Sequence, residues 1–345
     1  MPATDIAVLG AGMVGVCSAL ALQRQGYQVT LIDRKLPGEE SSFGNAGMIT
    51  PSSLLPINNP NLLRQLPNLL ANKSAGFNYK LPYTVRQITP LSRFLSLSRE
   101  PYCTPRIEAL HQLIALSRQH HQTLSSSANC TELLRPSGWL KLYRSTAALH
   151  SAGAELSLYE RYNIATRQLN QLQLQAEYPA LHPIFTSGLL IEEALSVARP
   201  DHLVKAYAKL FTQRGGSFVK RNIQRITQST EHWQLCDEHA ELHSYSQLVL
   251  ATGPWSKQVL APLGIKLPMI YERGAHREYT WDSACTLNTP IHDVEGSYVL
   301  TPTPNGVRIT CGVTLSDLDS PYSLRQLEGA QTRAREALHF SRDYS

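Results

Sequence analysis

Residues 5–33 read Asp-Ile-Ala-Val-Leu-Gly-Ala-Gly-Met-Val-Gly-Val-Cys-Ser-Ala-Leu-Ala-Leu-Gln-Arg-Gln-Gly-Tyr-Gln-Val-Thr-Leu-Ile-Asp, and this stretch decides the fold. Its first five residues predict a short buried strand, and a glycine-rich turn follows at once. Apolar residues then recur at helical spacing as far as Gly26, which is typical of a helix C-cap. Residues 28–32 predict a second buried strand, so the pattern is β-α-β within 33 residues.

The glycine turn has the G-x-G-x-x-G spacing, and it indicates a dinucleotide site because it follows a strand, opens a helix and precedes a strand that ends in an acid. The first glycine allows a tight turn, the second lets a pyrophosphate approach the backbone, and the third lets the helix pack on the strand. The helix N-terminus offers N–H groups and a partial positive charge to phosphates. A carboxylate at the end of the second strand can accept both hydroxyls of a ribose. The residues predicted to bind a dinucleotide are therefore Gly10, Ala11, Gly12, Met13, Val14, Gly15 and Asp33.

Two later segments favour FAD over NAD as that dinucleotide. Residues 41–48, Ser-Ser-Phe-Gly-Asn-Ala-Gly-Met, are small enough to let the backbone run along a bulky cofactor. Residues 248–255, Leu-Val-Leu-Ala-Thr-Gly-Pro-Trp, predict a buried strand that returns close to the first nucleotide loop. Each segment alone has an ordinary structural explanation, as a polar loop or as a strand with a turn. Their order and combination favour FAD.

Length and composition indicate a globular chain of two domains. The chain has 345 residues, of which 42% are hydrophobic and 17% charged, and this length exceeds what one core usually holds. The net charge of +5 comes from scattered basic residues, so we predict no nucleic-acid partner. The six cysteines show no CxxC spacing, and we predict no metal site.

The location of the protein is predicted from what the sequence lacks. No apolar run approaches the roughly 18 residues that a transmembrane helix needs. Residues 6–9 are too short for the core of a signal peptide. Widely spaced cysteines in a large chain are typical of a reducing compartment. We expect a cytoplasmic protein, with attachment to the inner face of the cytoplasmic membrane as the alternative.

The remaining chain alternates helices and strands. Six prolines interrupt residues 51–90, where we expect a long excursion with one short helix near residues 62–71. Residues 105–126 predict an amphipathic helix, and residues 201–214 predict another that ends at two glycines. Residues 298–301 and 308–311 predict a hairpin around a Pro-Asn-Gly loop.

Five motifs, taken in order, resemble those of bacterial FAD-dependent D-amino-acid dehydrogenases. That family belongs with the glycine, sarcosine and D-amino-acid oxidases. The similarity extends from about residue 5 to about residue 338. The first two motifs occur in many FAD and NAD proteins, whereas the serine-rich motif together with the final one is much more specific to this family. The motifs are Gly10 to Gly15, Asp33-Arg34, Ser41-Ser42 with Asn45-Ala46-Gly47, Ala251-Thr252-Gly253-Pro254-Trp255, and Glu272-Arg273-Gly274-Ala275-His276.

The resemblance implies an α/β fold with two interleaved parts. A Rossmann-type FAD-binding domain would comprise residues 1–50 and 196–268. An α+β substrate domain, with an antiparallel or mixed sheet and flanking helices, would comprise residues 51–195 and 269–345. His276 would be the best polar group to face the substrate, although a structural histidine is the alternative. Further cofactor contacts are implied for Arg34, for Ser41 and Ser42 near the phosphates, for Asn45, Ala46, Gly47 and Met48 along the flavin ring, for the backbone of Ile223 at adenine, and for Ala251, Thr252, Gly253 and Trp255 at the adenosine end.

The chain departs from the family pattern at three places. Ala275 stands where relatives have a tyrosine, and Leu315 stands roughly where they have a glutamate. Relatives also continue with a Trp-x-Gly-x-Arg-Pro segment and a Gly-His-Gly turn that opens a helix, whereas this chain ends at Tyr344-Ser345. That arginine can hold a substrate carboxylate bidentately. We therefore expect a C-terminally incomplete substrate domain.

The activity that the resemblance implies is oxidative deamination of D-amino acids to 2-oxo acids and ammonia, by hydride transfer from Cα to flavin N5. The partners would be a small amino-acid or amine substrate and an electron acceptor such as a membrane quinone. Two alternatives stay open. One is an FAD-dependent enzyme for secondary amines, glycine, sarcosine or hydroxyproline. The other is a truncated, non-catalytic remnant.

Overall fold

The computed structural model describes residues 5–281, 287–321 and 323–341, and these contain strands and helices throughout. The strands are β1 (Asp5–Leu9), β2 (Gln28–Asp33), β3 (Met48–Ile49), β4 (Phe77–Tyr79), β5 (Trp139–Tyr143), β6 (Thr166–Asn170), β7 (Ser187–Ile191), β8 (Leu195–Ser196), β9 (Ser217–Lys220), β10 (Ile223–Gln228), β11 (Trp233–Asp237), β12 (Leu242–Tyr245), β13 (Gln247–Leu250), β14 (Glu272–Thr280), β15 (Ile291–Asp293), β16 (Tyr298–Thr303) and β17 (Gly306–Leu315).

The α-helices alternate with these strands along the chain, and two of them begin at a proline. Pro60 and Pro200 each stand at the first helical position, where the missing N–H has no intrahelical role. The helices are α1 (Met13–Arg24), α2 (Pro60–Leu70), α3 (Leu81–Arg86), α4 (Ile88–Ser96), α5 (Glu100–Ser127), α6 (Thr146–Ser151), α7 (Gly153–Arg161), α8 (Gln171–Glu177), α9 (Pro200–Gln213), α10 (Ser256–Leu260) and α11 (Arg325–Ala337).

The chain divides into two compact units. The first comprises Met1–Asn45, Thr123–Leu133 and Arg199–Met269, and the second comprises Ala46–Gln122, Leu134–Ala198 and Ile270–Ser345. The first unit contains a four-stranded parallel sheet in the order β13-β1-β2-β9. Helix α1 buries Val16 and Ala19 on one stripe, as its sequence pattern predicts. An antiparallel sheet of β10, β11 and β12 completes this unit.

The second unit is built on a mixed sheet with two different faces. Its strand order is β14-β17-β16-β15-β5-β7-β6, with β4 added beside β17. Helix α11 packs on one face, where Ala330 and Ala334 join the core formed by Leu300, Ile309 and their neighbours. The opposite face is apolar near β5 and β7, where Leu189 and Ile191 join a second core. The predicted mixed α/β class is confirmed.

The segment that the prolines interrupt is more ordered than the sequence indicated. Only one helix was expected in residues 51–90, yet α2, β4, α3 and the start of α4 lie there. The predicted helix over 105–126 begins earlier, at Glu100, and continues to Ser127. Across the described ranges, each helix is either too short or too polar to cross a bilayer.

Candidate functional site

The turn between β1 and α1 has a backbone path that only glycine allows. Gly10 has a φ of +110°, and a Cβ added there would lie 2.3 Å from the carbonyl oxygen of Ala251. A Cβ on Gly15 would lie 1.7 Å from the carbonyl oxygen of Gly10. The turn, the start of α1 and the end of β13 therefore approach each other without room for side chains.

The N-terminus of α1 faces a cavity without a side-chain cap or an acidic residue in its first turn. Gly12 is the N-cap, and the N–H of Met13 donates to the hydroxyl of Ser42 at 3.0 Å. A Cβ on Gly12 would lie 3.2 Å from that hydroxyl oxygen. A helix terminus with this exposure favours an anion such as a phosphate.

Asp33 is held in place at the end of β2. Its Oδ2 accepts from the N–H of Ala11 at 2.6 Å, and its Oδ1 accepts from the N–H of Lys35 at 3.0 Å. The next residue, Arg34, pairs with Glu40 at 2.9 Å and stacks over the ring of Trp255 at 4.3 Å. The carboxylate is therefore fixed at the wall of the cavity before any ligand binds.

The cavity of the first unit has a volume of about 830 Å³. Thirteen of the predicted cofactor residues line it: Gly10, Gly12, Met13, Val14, Asp33, Arg34, Ser41, Ser42, Ile223, Ala251, Thr252, Gly253 and Trp255. Ala11 and Gly15 are buried behind the wall rather than exposed in it. The glycine cradle, the uncapped helix and the fixed carboxylate fit the adenosine diphosphate half of a dinucleotide such as FAD.

Sequence reasoning missed the hairpin that supports the wall near Ile223. The N–H of Arg221 donates to the carbonyl of Asp33 at 2.7 Å, and its guanidinium contacts the buried Asp237 at 3.1 Å. Burial alone would raise the pKa of Asp237, but hydrogen bonds from His243 and two backbone N–H groups, with the charge of Arg221, hold that pKa below its usual value. The contact between Arg221 and Asp237, which are 16 positions apart, cannot be recognised from a single sequence.

Asp237, Glu241 and His243 come close enough to share a cation, with ligand atoms within 4.8 Å of one another. The guanidinium of Arg221 lies among those atoms, 2.7 Å from Nε2 of His243. A second positive charge there would be repelled by the first. This cluster therefore acts as a support for Arg221 rather than as a metal site.

The segment predicted to follow the flavin ring lies partly in the second unit. Met48 and Ile49 form β3, which pairs with β8. The carbonyl of Ala46 accepts from the hydroxyl of Thr301 at 2.8 Å, and the carbonyl of Gly47 accepts from the N–H of Val197 at 2.6 Å. The Ala46–Met48 segment is thus tied to the face of the mixed sheet opposite α11, which we call the polar face. Asn45, the preceding residue, belongs to the first unit.

The strand register aligns four polar side chains and one valine in one row across that face. His276 on β14 pairs with Thr310 on β17, which also pairs with Val299 on β16. Val299 pairs with His292 on β15, and His292 pairs with Lys141 on β5. Because successive side chains of a strand point to opposite faces, these five share a face and their neighbours Ala275 and Cys311 face α11.

His276 lies in this row but not at the wall of the neighbouring cavity. Burial lowers its pKa, the positive charge of Arg308 lowers it further, and the Glu278 carboxylate raises it by less. Arg308 is itself buried and forms an ion pair with Glu278. That His276 faces the substrate stays a prediction, and the sequence could not indicate that a buried arginine and its carboxylate partner stand beside it.

Five buried polar atoms on the same face have no hydrogen-bond partner among the described residues: Nδ1 of His292, Oγ1 of Thr310, Nε1 of Trp139 and the hydroxyl oxygens of Tyr143 and Ser187. The rings of Trp139 and His292 stack at 5.8 Å. Burial, together with the charge of Lys141, lowers the pKa of His292 to about 4, so the imidazole is neutral near pH 7. A buried polar atom without a partner is costly, and such atoms often mark ligand contacts.

His292 and Thr310 line a cavity of about 300 Å³. Apart from Tyr298, its other wall residues are small or apolar, including Gly274, Val299 and Gly312. No lysine or arginine lines it within the described ranges. The volume is at the lower end of the range for ligand pockets, about 300–1,000 Å³, which suits a small ligand.

Comparisons with known proteins agree with this architecture. A family model described as DAO, FAD dependent oxidoreductase, matches residues 5–343. D-amino-acid oxidase of Bradyrhizobium diazoefficiens is 28% identical over 278 residues, which are 79% of this chain and 65% of that protein. The chain therefore spans less than two thirds of the length of this relative.

Solved structures of low sequence identity share the fold. Glycine oxidase of Geobacillus kaustophilus superposes with a TM-score of 0.71 at 16% identity, covering 97% of this chain and 78% of that one. L-proline dehydrogenase of P. horikoshii gives a TM-score of 0.66 at 14% identity, covering 97% and 77%. With the family model matching nearly the whole chain, the protein belongs to the DAO family of FAD-dependent oxidoreductases.

Proposed function

We propose that this chain oxidises small D-amino acids to 2-oxo acids and ammonia, with FAD as the oxidant. The observation that carries the proposal is the pair of partnerless polar atoms, Nδ1 of His292 and Oγ1 of Thr310, at the wall of a cavity of about 300 Å³. Polar groups of a small ligand would satisfy both atoms. The preference for D-amino acids is supported by the sequence motifs and by the similarity to a D-amino-acid oxidase.

The cofactor would be held by the predicted residues of the first unit. The pyrophosphate would lie against the glycine turn and the N-terminus of α1, and the ribose against Asp33. Ala11 and Gly15 would act by packing, because they are buried behind the cavity wall. In this scheme residues 1–50 and 196–268 form the FAD-binding domain, and residues 51–195 and 269–345 form the substrate domain.

The reaction depends more on how the protein orients the substrate than on a strong base. When bound, FAD supplies the two-electron oxidant that takes the hydride from the substrate Cα. The nitrogen lone pair then forms the C=N bond, one amine proton leaves to solvent, and water hydrolyses the imine to the 2-oxo acid and ammonia. Neutral His292 and the hydroxyl of Thr310 would hold the amine and carboxylate groups in place, and Trp139 would fix the imidazole by stacking. His276, further along the same face, would be a secondary polar contact.

The electrons would pass to a quinone, and we propose a location on the cytoplasmic side of the membrane that contains it. This part of the proposal is supported only by the family resemblance. It is tested by the rate at which flavin reduced by D-alanine is reoxidised by a short-chain quinone and, separately, by oxygen. Faster reoxidation by oxygen would replace the dehydrogenase assignment with an oxidase.

The first experiment measures flavin absorbance under anaerobic conditions. Purified protein reconstituted with FAD is mixed with D-alanine, L-alanine, glycine, sarcosine, proline and hydroxyproline in separate cuvettes. Bleaching by D-alanine first and most completely supports the proposal. Preferential bleaching by sarcosine, glycine or the cyclic amines would establish the secondary-amine alternative. Protein that stays colourless, with a melting temperature that added FAD does not change, would support a non-catalytic remnant.

The second experiment tests the substrate site with Thr310→Val. The two side chains have similar shapes, and the hydroxyl has no partner, so the variant should be at least as stable as wild type. The KM for D-alanine should rise roughly tenfold, the loss of about one hydrogen bond of ~1.4 kcal/mol. Thr227→Val, an exposed substitution on β10, is the matched control. An unchanged KM in Thr310→Val would remove this hydroxyl from the substrate site.

A further inference from the structure

Positive charge is concentrated in one part of the chain. Residues 41–99 contain six lysines and arginines and no aspartate or glutamate. This segment alone therefore carries +6, whereas the whole chain carries +5, so the remainder is close to neutral at −1. The basic residues are Arg64, Lys73, Lys80, Arg86, Arg93 and Arg99.

The same segment exposes an apolar stripe at helical spacing. Leu81 and Val85, which are four positions apart, share one face of α3, and Ile88 is the first residue of α4, which begins after Gln87. They are 64%, 62% and 65% exposed. Apolar residues at this spacing normally face a core, and a contiguous exposed patch marks an interaction site.

The orientation of this stripe is fixed from the opposite side of α3. Tyr83 points inward, where it is buried, accepts from the N–H of Tyr271 at 2.7 Å and stacks on that ring. A rotation of the helix that covered Leu81 would expose Tyr83. The exposure is therefore built into the packing of this unit.

The C-terminal end of α2 extends the surface. The hydroxyl of Tyr79 donates to the carbonyl of Leu70 at 2.8 Å, and Asn72 donates to the carbonyl of Tyr79 at 3.0 Å. These bonds bring the exposed Leu70 close to the beginning of α3. We call Leu70, Leu81, Val85 and Ile88, with Lys80 and Arg86, the basic apolar surface.

The basic groups of this surface can bind external anions. Lys80 donates to the carbonyl of Pro321, and Arg86 pairs with Asp317, but both side chains of that pair are more than half exposed. Exposed ion pairs are weak and exchange readily with solvent and counterions. A phosphate can therefore replace Asp317 as the partner of Arg86.

We propose that the basic apolar surface docks the protein on an anionic lipid bilayer. Shallow insertion of Leu81, Val85 and Ile88, with cationic groups at the headgroup level, is the arrangement by which interfacial helices bind membranes. A specific protein interface buries about 800 Å² per partner, far more than this narrow stripe offers. The proposal concerns the surface alone and does not depend on which amine is oxidised.

The test is co-sedimentation of the FAD-loaded full chain with lipid vesicles. Phosphatidylcholine vesicles with about one-third phosphatidylglycerol should bind the protein, and phosphatidylcholine alone should bind it at least roughly tenfold less. Binding should weaken in high salt, because the electrostatic attraction is screened. The double variant Leu81→Asp/Ile88→Asp should lower the partition coefficient at least about tenfold.

Leu172→Asp is the matched control, because Leu172 is an equally prominent exposed leucine on another helix of this unit. It should bind anionic vesicles like wild type. Both variants should keep the melting temperature of wild type, because the substituted side chains are exposed. An uncharged second variant, Lys80→Gln/Arg86→Gln, should retain the fold and lose most of the preference for anionic vesicles.

Three results would overturn the proposal. Wild-type protein could fail to bind anionic vesicles, or the double variant could bind them as well as wild type. Alternatively, size-exclusion chromatography could show a dimer that the double variant abolishes, which would assign the surface to a second copy of the chain. Flavin absorbance and turnover with a water-soluble acceptor should be unchanged in each variant, so failure here is distinguishable from failure of the proposed chemistry.

Discussion

The wild-type protein should lose stability between pH 7 and pH 5 because of His292, and His292→Gln should not show this loss. Burial and the positive charge of Lys141 lower the pKa of His292 to about 4 from 6.5, against a smaller opposing effect of Glu155. At pH 5 this imidazole is neutral in the folded protein, whereas it is mostly protonated in the unfolded chain. The unfolded state therefore binds an additional proton and is stabilised by acid.

The magnitude follows from the two pKa values. Stability that is present above pH 6.5 is lost as the pH falls towards 4, because the folded-state pKa lies below the unfolded one. The complete loss is about 3 kcal/mol, and about 2 kcal/mol of it occurs by pH 5. That is a substantial share of the ~5–15 kcal/mol that stabilises a typical domain.

The assay is urea unfolding at pH 7 and pH 5 with the same excess of FAD. From pH 7 to pH 5, His292→Gln should lose about 2 kcal/mol less free energy of unfolding than wild type. His120→Gln replaces an exposed histidine on α5 and should behave like wild type. Carboxylates titrate equally in all three proteins, so their contribution cancels in the comparison. An equal loss in wild type and His292→Gln would refute the reasoning.

Three further predictions concern packing and the cofactor. Gly12→Ala should leave the melting temperature unchanged, because the φ of Gly12 is −74°, which alanine also adopts. The same variant should bind FAD at least tenfold more weakly, or by ~1.4 kcal/mol, as measured by flavin fluorescence. Gly15→Ala should lower the free energy of unfolding in urea by at least about 3 kcal/mol, because its Cβ would lie 1.7 Å from a carbonyl oxygen. The control Gly153→Ala should leave that free energy unchanged, because the space around Gly153 is open. Glu278→Gln should destabilise by about 3 kcal/mol by removing the carboxylate from buried Arg308, and stability equal to wild type would contradict this.

The dinucleotide turn could be predicted from sequence because its determinants are local. The strand, turn, helix and Asp33 lie within residues 5–33, and Gly10 and Gly15 are each required at their own position, because a Cβ would lie 2.3 Å and 1.7 Å from a carbonyl oxygen. The later segments, Ser41-Ser42 and residues 251–255, line the same cavity as the turn, and their contacts with the cofactor stay a prediction. Arg221 and Asp237 were missed, because their contact depends on the pairing of β10 with β11.

The polar face of the second unit could not be predicted in the same way. His292 lies on a strand of only three residues, too short for a period-two pattern to be recognised. Two other polar residues of the row, Thr310 and Lys141, are 18 and 151 positions away and align with His292 only through strand register. A shift of one residue in any of these strands would turn its side chain to the α11 face.

The first cavity is shaped by the backbone and the second by side chains, so substitutions should affect the two cavities differently. In the proposed cofactor cavity the backbone leaves no room for a side chain at Gly10 or Gly15, so substitutions in the glycine turn should affect folding or FAD affinity before they affect substrate choice. The cavity of the second unit depends on side chains, and exchanging Thr310 or Val299 alters its wall without straining the backbone. Substrate range should therefore vary by single substitutions on β15, β16 and β17 while FAD affinity stays constant. If Thr310→Val changed the dissociation constant of FAD as much as the KM for D-alanine, this separation of the two sites would be wrong.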